Sequence, residues 1–309
     1  MREVTIGELI KETRKKLKLT QEEVCFGICE PATLSRIENN KTTPTRNVLN
    51  ALLQRLDISD DRFFAAINIE EVRINELCKE ITACNVEYER AVGDEKADIR
   101  DKLTEKHKAL QDIIEPDDKI SEQLIIRSEV LIGNYTPEEK INKLLRAVRL
   151  THPNFELPDI KKGIFSFDEV KIINQIAAAY SEKGDSKQAL EVWDNLLANV
   201  DNRFEIIIPS RTQKELILYG LSREYLIIGD YIKAMYYAKE GKDLVIKHGL
   251  YRHLPGFVII LAECEHQAGN AAMSKELFED AYHLCKVIGD KSNEKVVVNA
   301  QKEYFGSVI

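Results

Sequence analysis

The sequence predicts an all-α protein, on three observations. In 309 residues there are only eight prolines and fourteen glycines, the two residue types that interrupt helices most strongly. Apolar residues recur at spacings of three, four and seven through most of the chain, the period of a helix with one buried face. Capping and turn residues stand where those periodic stretches end. A composition of 44% hydrophobic and 31% charged residues is that of a globular, water-soluble protein. The length predicts two domains, divided here at 1–68 and 69–309.

The first helix is expected over about 6–17, with Ile6, Leu9, Ile10 and Leu17 on one face. Thr20 and Glu23 then form a capping box, and Val24 and Ile28 repeat at helical spacing behind it. Cys29 and Glu30 break that run. Pro31 suits the first position of a new helix, where the missing N–H costs nothing, and Leu34 and Ile37 give it an apolar face. Thr33 and Arg36 project elsewhere. Two short helices at a tight turn, the second with outward polar residues, make a DNA-reading unit. A polar loop from Asn39 to Pro44 follows. Thr45 is the expected cap of a helix carrying Val48, Leu49, Leu52 and Leu56. Asp57 to Asp61 ends it, and Asp60 or Asp61 begins a short helix with Phe63, Phe64 and Ile67.

Leu19-Thr20-Gln21-Glu22-Glu23-Val24 followed by Leu34-Ser35-Arg36-Ile37-Glu38-Asn39 resembles the phage-repressor (XRE) helix-turn-helix family over residues 4 to about 65. The resemblance implies a lambda-repressor-like DNA-binding domain. It places Gln21 at a helix N-terminus against a phosphate. It puts Pro31, Ala32, Thr33 and Arg36 on the base-reading helix, with Arg36 the strongest single reader because a guanidinium can bond guanine through two donors. Asn39, Lys41, Thr43 and Arg46 fall at backbone-contacting positions, and Arg14 with Glu38 matches a structural ion pair of the family. Two features depart from the pattern. Cys29 stands where a turn glycine is usual, in a turn one residue shorter than the commonest form. A non-glycine there discourages a left-handed backbone, so an altered angle between the two helices is expected. Asn40 replaces the second usual glycine, and asparagine tolerates that conformation well. The shortened Ile28-Cys29-Glu30 turn resembles that of peptide-sensing regulators of the PlcR and Rgg type.

Beyond residue 69 helices are expected at 70–92, 95–114, 120–133, 137–150, 168–183, 186–199, 212–228, 231–247, 256–268 and 271–288, with a loop at 151–167 as the longest break. Internal repetition organises them. Tyr180-x3-Gly184-Asp185-x3-Ala189 recurs as Tyr225-x3-Gly229-Asp230-x3-Ala234 and, more weakly, as Glu265-x3-Gly269-Asn270-x3-Ser274. A degenerate earlier copy centres on Gly133-Asn134. Trp193, Ala238 and Phe278 follow each small residue by four. The pattern resembles tetratricopeptide (TPR) helix pairs, with spacings longer than that family's usual one. It implies a TPR-like α-solenoid whose concave face holds an extended peptide. Counting back from the glycines, the implied groove positions are Gln123 and Arg127, Lys171 and Asn174, Tyr219 and Arg223, and Glu263 and His266. Such side chains can bond a peptide backbone or a carboxylate. Tyr180, Tyr225 and Trp193 read as core.

Several functions are excluded. No phosphate-binding glycine loop, His-Glu-x-x-His or calcium loop occurs, so no enzyme, cofactor or metal is expected. Six scattered cysteines form no disulfide framework, and Cys25 and Cys29 read as small buried residues. No apolar run approaches the roughly 18–20 residues that span a bilayer, and the N-terminus lacks the apolar segment of a signal peptide; a cytoplasmic protein is expected. The net charge of −8 is uneven. Residues 1–60 hold 10 basic and 9 acidic side chains, leaving 34 and 43 for the remainder. A near-neutral head with Arg14, Lys15, Lys16 and Lys18 clustered can meet phosphates, while the acidic bulk stays off the duplex.

A helix-turn-helix head joined to TPR-like repeats resembles the RRNPP family of quorum-sensing receptors. That resemblance implies a homodimeric transcription regulator on a two-fold-related double-stranded DNA site, controlled by a short signalling peptide in the repeat groove. Two alternatives are a TPR interaction adaptor with a subsidiary DNA-binding head, and a mobile-element repressor controlled by a peptide or protein.

Overall fold

The structure, a computed structural model, describes residues 5–58, 69–204 and 213–306, and every regular element among them is helical. The expected short helix at 63–67 lies outside the described residues. The chain divides into two compact units, one of residues 1–82 and 104–173 and the other of 83–103 and 174–309. The expected boundary at residue 68 falls inside the first unit, which also takes in helices beyond the first four and the stretch that follows them.

The first unit begins with α1 (Ile6–Lys16), α2 (Gln21–Cys25), α3 (Pro31–Glu38) and α4 (Arg46–Arg55). Their boundaries follow local chemistry. Thr5 with Glu8 and Thr20 with Glu23 form complete capping boxes, Thr45 caps α4, and Pro31 opens α3. Each cap satisfies amide donors that a helix start leaves unpaired, worth about 1 kcal/mol apiece. The apolar faces meet in one cluster that includes Ile10, Val24, Leu34, Ile37, Leu52 and Leu56, all fully buried. Gly7 lets α1 approach α3, since a Cβ there would sit 2.1 Å from the Ile37 carbonyl oxygen.

The turn between α2 and α3 is built differently from expectation. Helix α2 ends at Cys25, so Ile28 lies beyond it. The left-handed residue is Gly27, at φ +73°, and Cys29 therefore needs no strained backbone. Asn40 does take the left-handed conformation, at φ +56°.

The rest of the first unit draws on α5 (Ile69–Arg90), α6 (Gly93–Gln111), α7 (Lys119–Ile132), α8 (Pro137–Arg149) and the start of α9 (Phe167–Glu182). Helix α6 ends at Gln111, short of the expected 114. The expected loop at 151–167 contains a 3-10 helix at Leu157–Lys161, packed inward through Phe155, Ile160 and Phe165.

The second unit holds the repeats: the end of α9, then α10 (Ser186–Phe204), α11 (Lys214–Ile227), α12 (Tyr231–His248), α13 (Leu254–Gln267) and α14 (Ala271–Ile288). The repeat glycines serve one purpose. Gly184, Gly229 and Gly269 have φ of +83°, +80° and +81°. In each copy the following residue donates its N–H back to the first residue of the motif, at 2.9 Å: Asp185 to Tyr180, Asp230 to Tyr225 and Asn270 to Glu265. This is the left-handed helix stop that glycine makes cheaply. Ala189, Ala234 and Ser274 are fully buried where paired helices touch. Gly133 differs, with φ −80°, so the earlier copy turns by another route. A further helix, α15 (Lys291–Phe305), was not expected from the sequence; it starts at an Asp290 cap after left-handed Gly289.

Candidate nucleic-acid interface and ligand-binding positions

Helix α3 separates its two faces sharply. Leu34, Ile37 and Glu38 are buried, while Pro31, Ala32 and Arg36 are exposed and Thr33 is half-buried. The side chains expected to read bases therefore share the open side, with Arg36 a free-standing guanidinium near the helix's last turn. Lys41 and Thr43 are exposed in the loop that follows.

Glu38 anchors the back of this helix. It accepts from Arg14 Nε at 2.5 Å and Nη2 at 2.9 Å, and Arg14 Nη1 also donates to the Leu19 carbonyl. Burial by itself would raise the Glu38 carboxyl; the hydrogen bonds from Arg14 and Gln21 outweigh it and hold the group below its ordinary value. A bidentate pair of this kind is among the stronger side-chain contacts, and it ties α1 to α3. Gln21, placed against a phosphate by family resemblance, gives its amide Nε2 to Glu38 at 2.7 Å. Asn39 is likewise engaged, accepting from Lys11 and donating to the Ser35 carbonyl, both at 2.8 Å. Arg46 is half-buried at the start of α4, in a polar cleft with Asn50 and Glu115.

The back of the same domain is docked on the helices behind it in the first unit. Lys119 Nζ donates to the Gly27 carbonyl at 2.7 Å. A Cβ on Gly27 would lie 1.7 Å from the Thr151 carbonyl oxygen, so this contact requires glycine twice over, for φ and for space. Arg55 is buried and donates to the carbonyl of Phe26. Its Nη2 lies 3.2 Å from His152 Nε2 and 3.8 Å from Glu169 Oε1, with His152 and Glu169 3.3 Å apart. Thr151 Oγ1 and the Ser166 N–H donate to the same carboxylate. Burial raises the Glu169 carboxyl, but His152, Arg55 and Thr151 together bring it down to about 2. Sequence reasoning missed this cluster. Its one signal was a charged residue, Arg55, inside the apolar run Leu52, Leu53 and Leu56.

The eight positions implied for a ligand groove have unequal fates. Gln123 is a correction: it is buried, and its amide donates to the Ala147 carbonyl at 2.9 Å and Thr151 Oγ1 at 2.8 Å. Counting from Gly133 misplaces it because that glycine makes no repeat-type turn. Arg127 is half-buried, its pKa lowered by desolvation against a pull from Asp168. Lys171 pairs with Asp168 at 2.9 Å. Asn174 Oδ1 accepts from the Trp193 indole at 2.8 Å. Tyr219 stacks on His253 and meets Phe257 edge-on. Arg223 is exposed. Glu263 accepts from the Tyr304 hydroxyl at 2.8 Å, and His266 stacks on the Tyr304 ring with centroids 3.8 Å apart. The last pair is thus occupied by α15, the helix missing from the sequence-based count.

All six cysteines are free, and burial pushes the Cys29 thiol up to about 11. No group of His, Cys, Asp or Glu among the described residues is placed to hold a metal, and none of the described helices is long and apolar enough to cross a membrane.

Residues 10–63 match the family described as Helix-turn-helix. No curated protein matches the chain. Among solved structures, PlcR from Bacillus thuringiensis in complex with the peptide PapR7 and DNA has a TM-score of 0.62 and 16% identity, covering 95% of this chain and 99% of that one. ComR from S. thermophilus, in complex with DNA and its signalling peptide ComS, has a TM-score of 0.55 and 17% identity over 98% and 100% of the two chains. The apo form of the competence regulator ComR from Streptococcus vestibularis has a TM-score of 0.54 and 18% identity over 96% and 97%. At these identities the likeness is one of fold, and it extends over the whole chain.

Proposed function

We propose that the protein is a sequence-specific DNA-binding transcription regulator, not an enzyme, controlled by a short signalling peptide bound to its repeats. It acts in the cytoplasm as a homodimer on a two-fold-related site. The observation that carries the reading is α3: a helix anchored from behind by Glu38, with Pro31, Ala32, Thr33 and Arg36 turned outward. The whole-chain likeness to proteins solved with both a peptide and DNA supports it. In this reading residues 1–68 are the reader and 69–309 the receptor and dimerisation part. Gln21, Asn39, Lys41, Thr43 and Arg46 position the duplex through phosphates, and Arg36 reads a base. Gln21 and Asn39 each carry a second amide hydrogen, beyond the one bonded to Glu38 or to the Ser35 carbonyl, to offer a phosphate.

A peptide alters transcription only if it binds one arrangement of the dimer better than another. In this reading the junction at about 57–70 would carry the change, and it lies mostly outside the described residues. Among the described ones, the Arg55–His152–Glu169 cluster and the Gly27 contact fix the reader to the helices behind it.

Titration of the full-length protein with labelled DNA from a selected-site library tests the reading. Arg36→Ala is expected to cost about 1–3 kcal/mol of specific binding and to relax preference at one base position in each half-site. Unchanged affinity and preference in that variant would remove Arg36 from base reading; absence of any site enrichment by the wild type would remove the regulator assignment.

A further inference from the structure

The second unit contains two arginines, Arg90 and Arg223, that make no ion pair or side-chain hydrogen bond among the described residues. Tyr219 and His253, on which their charges act, stack with ring centroids 5.6 Å apart. Gly256 lies under the tyrosine ring, where a Cβ would come within 2.5 Å of it. His253 Nε2 is buried and has no hydrogen-bond partner. Burial, then the charges of Arg252 and Arg90, lower His253 to about 3, so the ring is neutral and one nitrogen is left unanswered. Arg223 follows Tyr219 by one turn of α11, and its charge acts on that ring; Arg90 adjoins Glu89, the partner of Arg252, at the end of α5. His253 also begins α13, and no side chain caps that helix; its positive end adds to the field.

Neither of the acids that act on this group pairs with Arg90 or Arg223, although Asp290 keeps its charge. Glu89 pairs with Arg252. Asp290, which acts on Tyr219 and Arg252, accepts from the backbone N–H and the side-chain amide of Asn293 at 3.0 and 2.7 Å. Two uncompensated guanidiniums beside an aromatic stack and an unpartnered imidazole nitrogen suit a planar, doubly accepting anion, the shape of a carboxylate.

We infer that Arg90 and Arg223, grouped about the Tyr219–His253 stack, form a carboxylate-binding subsite for the peptide ligand. The inference rests on the peptide-receptor reading and deepens it: the ligand carries a carboxylate, either at its C-terminus or on an Asp or Glu side chain.

The test uses the full-length protein and affinity selection from four pools of random heptapeptides. The pools have free or amidated C-termini, each with Asp and Glu either included or omitted. The expected result is at least a tenfold enrichment from carboxylate-bearing pools over the amidated, acid-free pool. That enrichment should fall about tenfold in Arg223→Gln and in Arg90→Gln, and return in part in Arg223→Lys. Preference that follows the free terminus identifies a terminal carboxylate; preference that follows Asp and Glu identifies a side chain. Equal enrichment from all four pools, or a preference unchanged in both glutamine variants, overturns the subsite and leaves the receptor reading standing. Failure of the wild type to enrich any pool overturns both. Arg223 is exposed, so Arg223→Gln decides the matter if helical circular dichroism shows Arg90→Gln misfolded.

Discussion

Two residues of the first unit show how much a single position can decide. Gly27 combines a left-handed backbone with a missing side chain against the Thr151 carbonyl. Gly27→Ala is expected to cost about 2 kcal/mol or more, from the left-handed conformation and the displaced contact together. A melting temperature equal to wild type would show that the turn repacks freely. Glu169 carries a pH signature. Its carboxyl is held at about 2 in the folded protein against an ordinary 4.5. The folded state therefore gains from its ionised form at neutral pH, and that gain is lost as pH falls from about 4.5 towards 2. Glu169→Gln leaves Arg55 buried without its counter-charge, a loss on the order of 3–5 kcal/mol at pH 7. Denaturant titrations at pH 7 and pH 4 should show the wild type weakening between them and the variant changing less. A pH dependence as steep in the variant as in the wild type would assign the effect elsewhere.

At the scale of elements, α3 and α15 make contrasting cases. Helix α3 was legible because Pro31 marks its first turn and Leu34 and Ile37 its core face, while the Arg14–Glu38 pair that ties it to α1 was read from family resemblance. The end of α2 was not, because it depends on which of two turn residues takes the left-handed conformation. The choice fell on Gly27, whose space is set by Thr151, far away in the chain. Helix α15 has its own local signals in Asp290 and buried Val297 and Ala300, but its partners are distant: Tyr304 meets Glu263, His266 and Phe278. Truncation after Asp290 is expected to uncover that face and lower the melting temperature by several degrees. Fluorescence of Trp193, the single tryptophan, reports on the second unit alone. An unchanged fluorescence melt would show that α15 does not stabilise the repeats.

For the molecule as a whole, charge is the first constraint. A net charge of −8 opposes the proposed DNA binding unless cations are concentrated around α3. Exposed Arg36, Lys41, Lys15 and Lys16 provide that concentration. Phosphate contacts release counterions, so binding should weaken steeply with salt. Lys41→Ala is expected to lower affinity about equally for all sequences and to reduce the logarithmic salt slope by about one, whereas Arg36→Ala changes sequence preference. Equal salt slopes for Lys41→Ala and wild type would place Lys41 off the duplex.

The sequence by itself determined the all-α class, the opening proline and core face of α3, and the glycine stops of the three later repeats. Each of these depends on residues a few positions apart, and helical periodicity and turn chemistry act over that range. Tertiary structure alone decided the partners of buried polar groups. Gln123 was placed in a groove by counting and lies in the core on Ala147 and Thr151. Arg55, His152 and Glu169 are scattered in sequence and meet only because burial makes each need the others. Arg90 and Arg223, whose charges act on His253 and Tyr219, come from separate helices, and no spacing rule joins them.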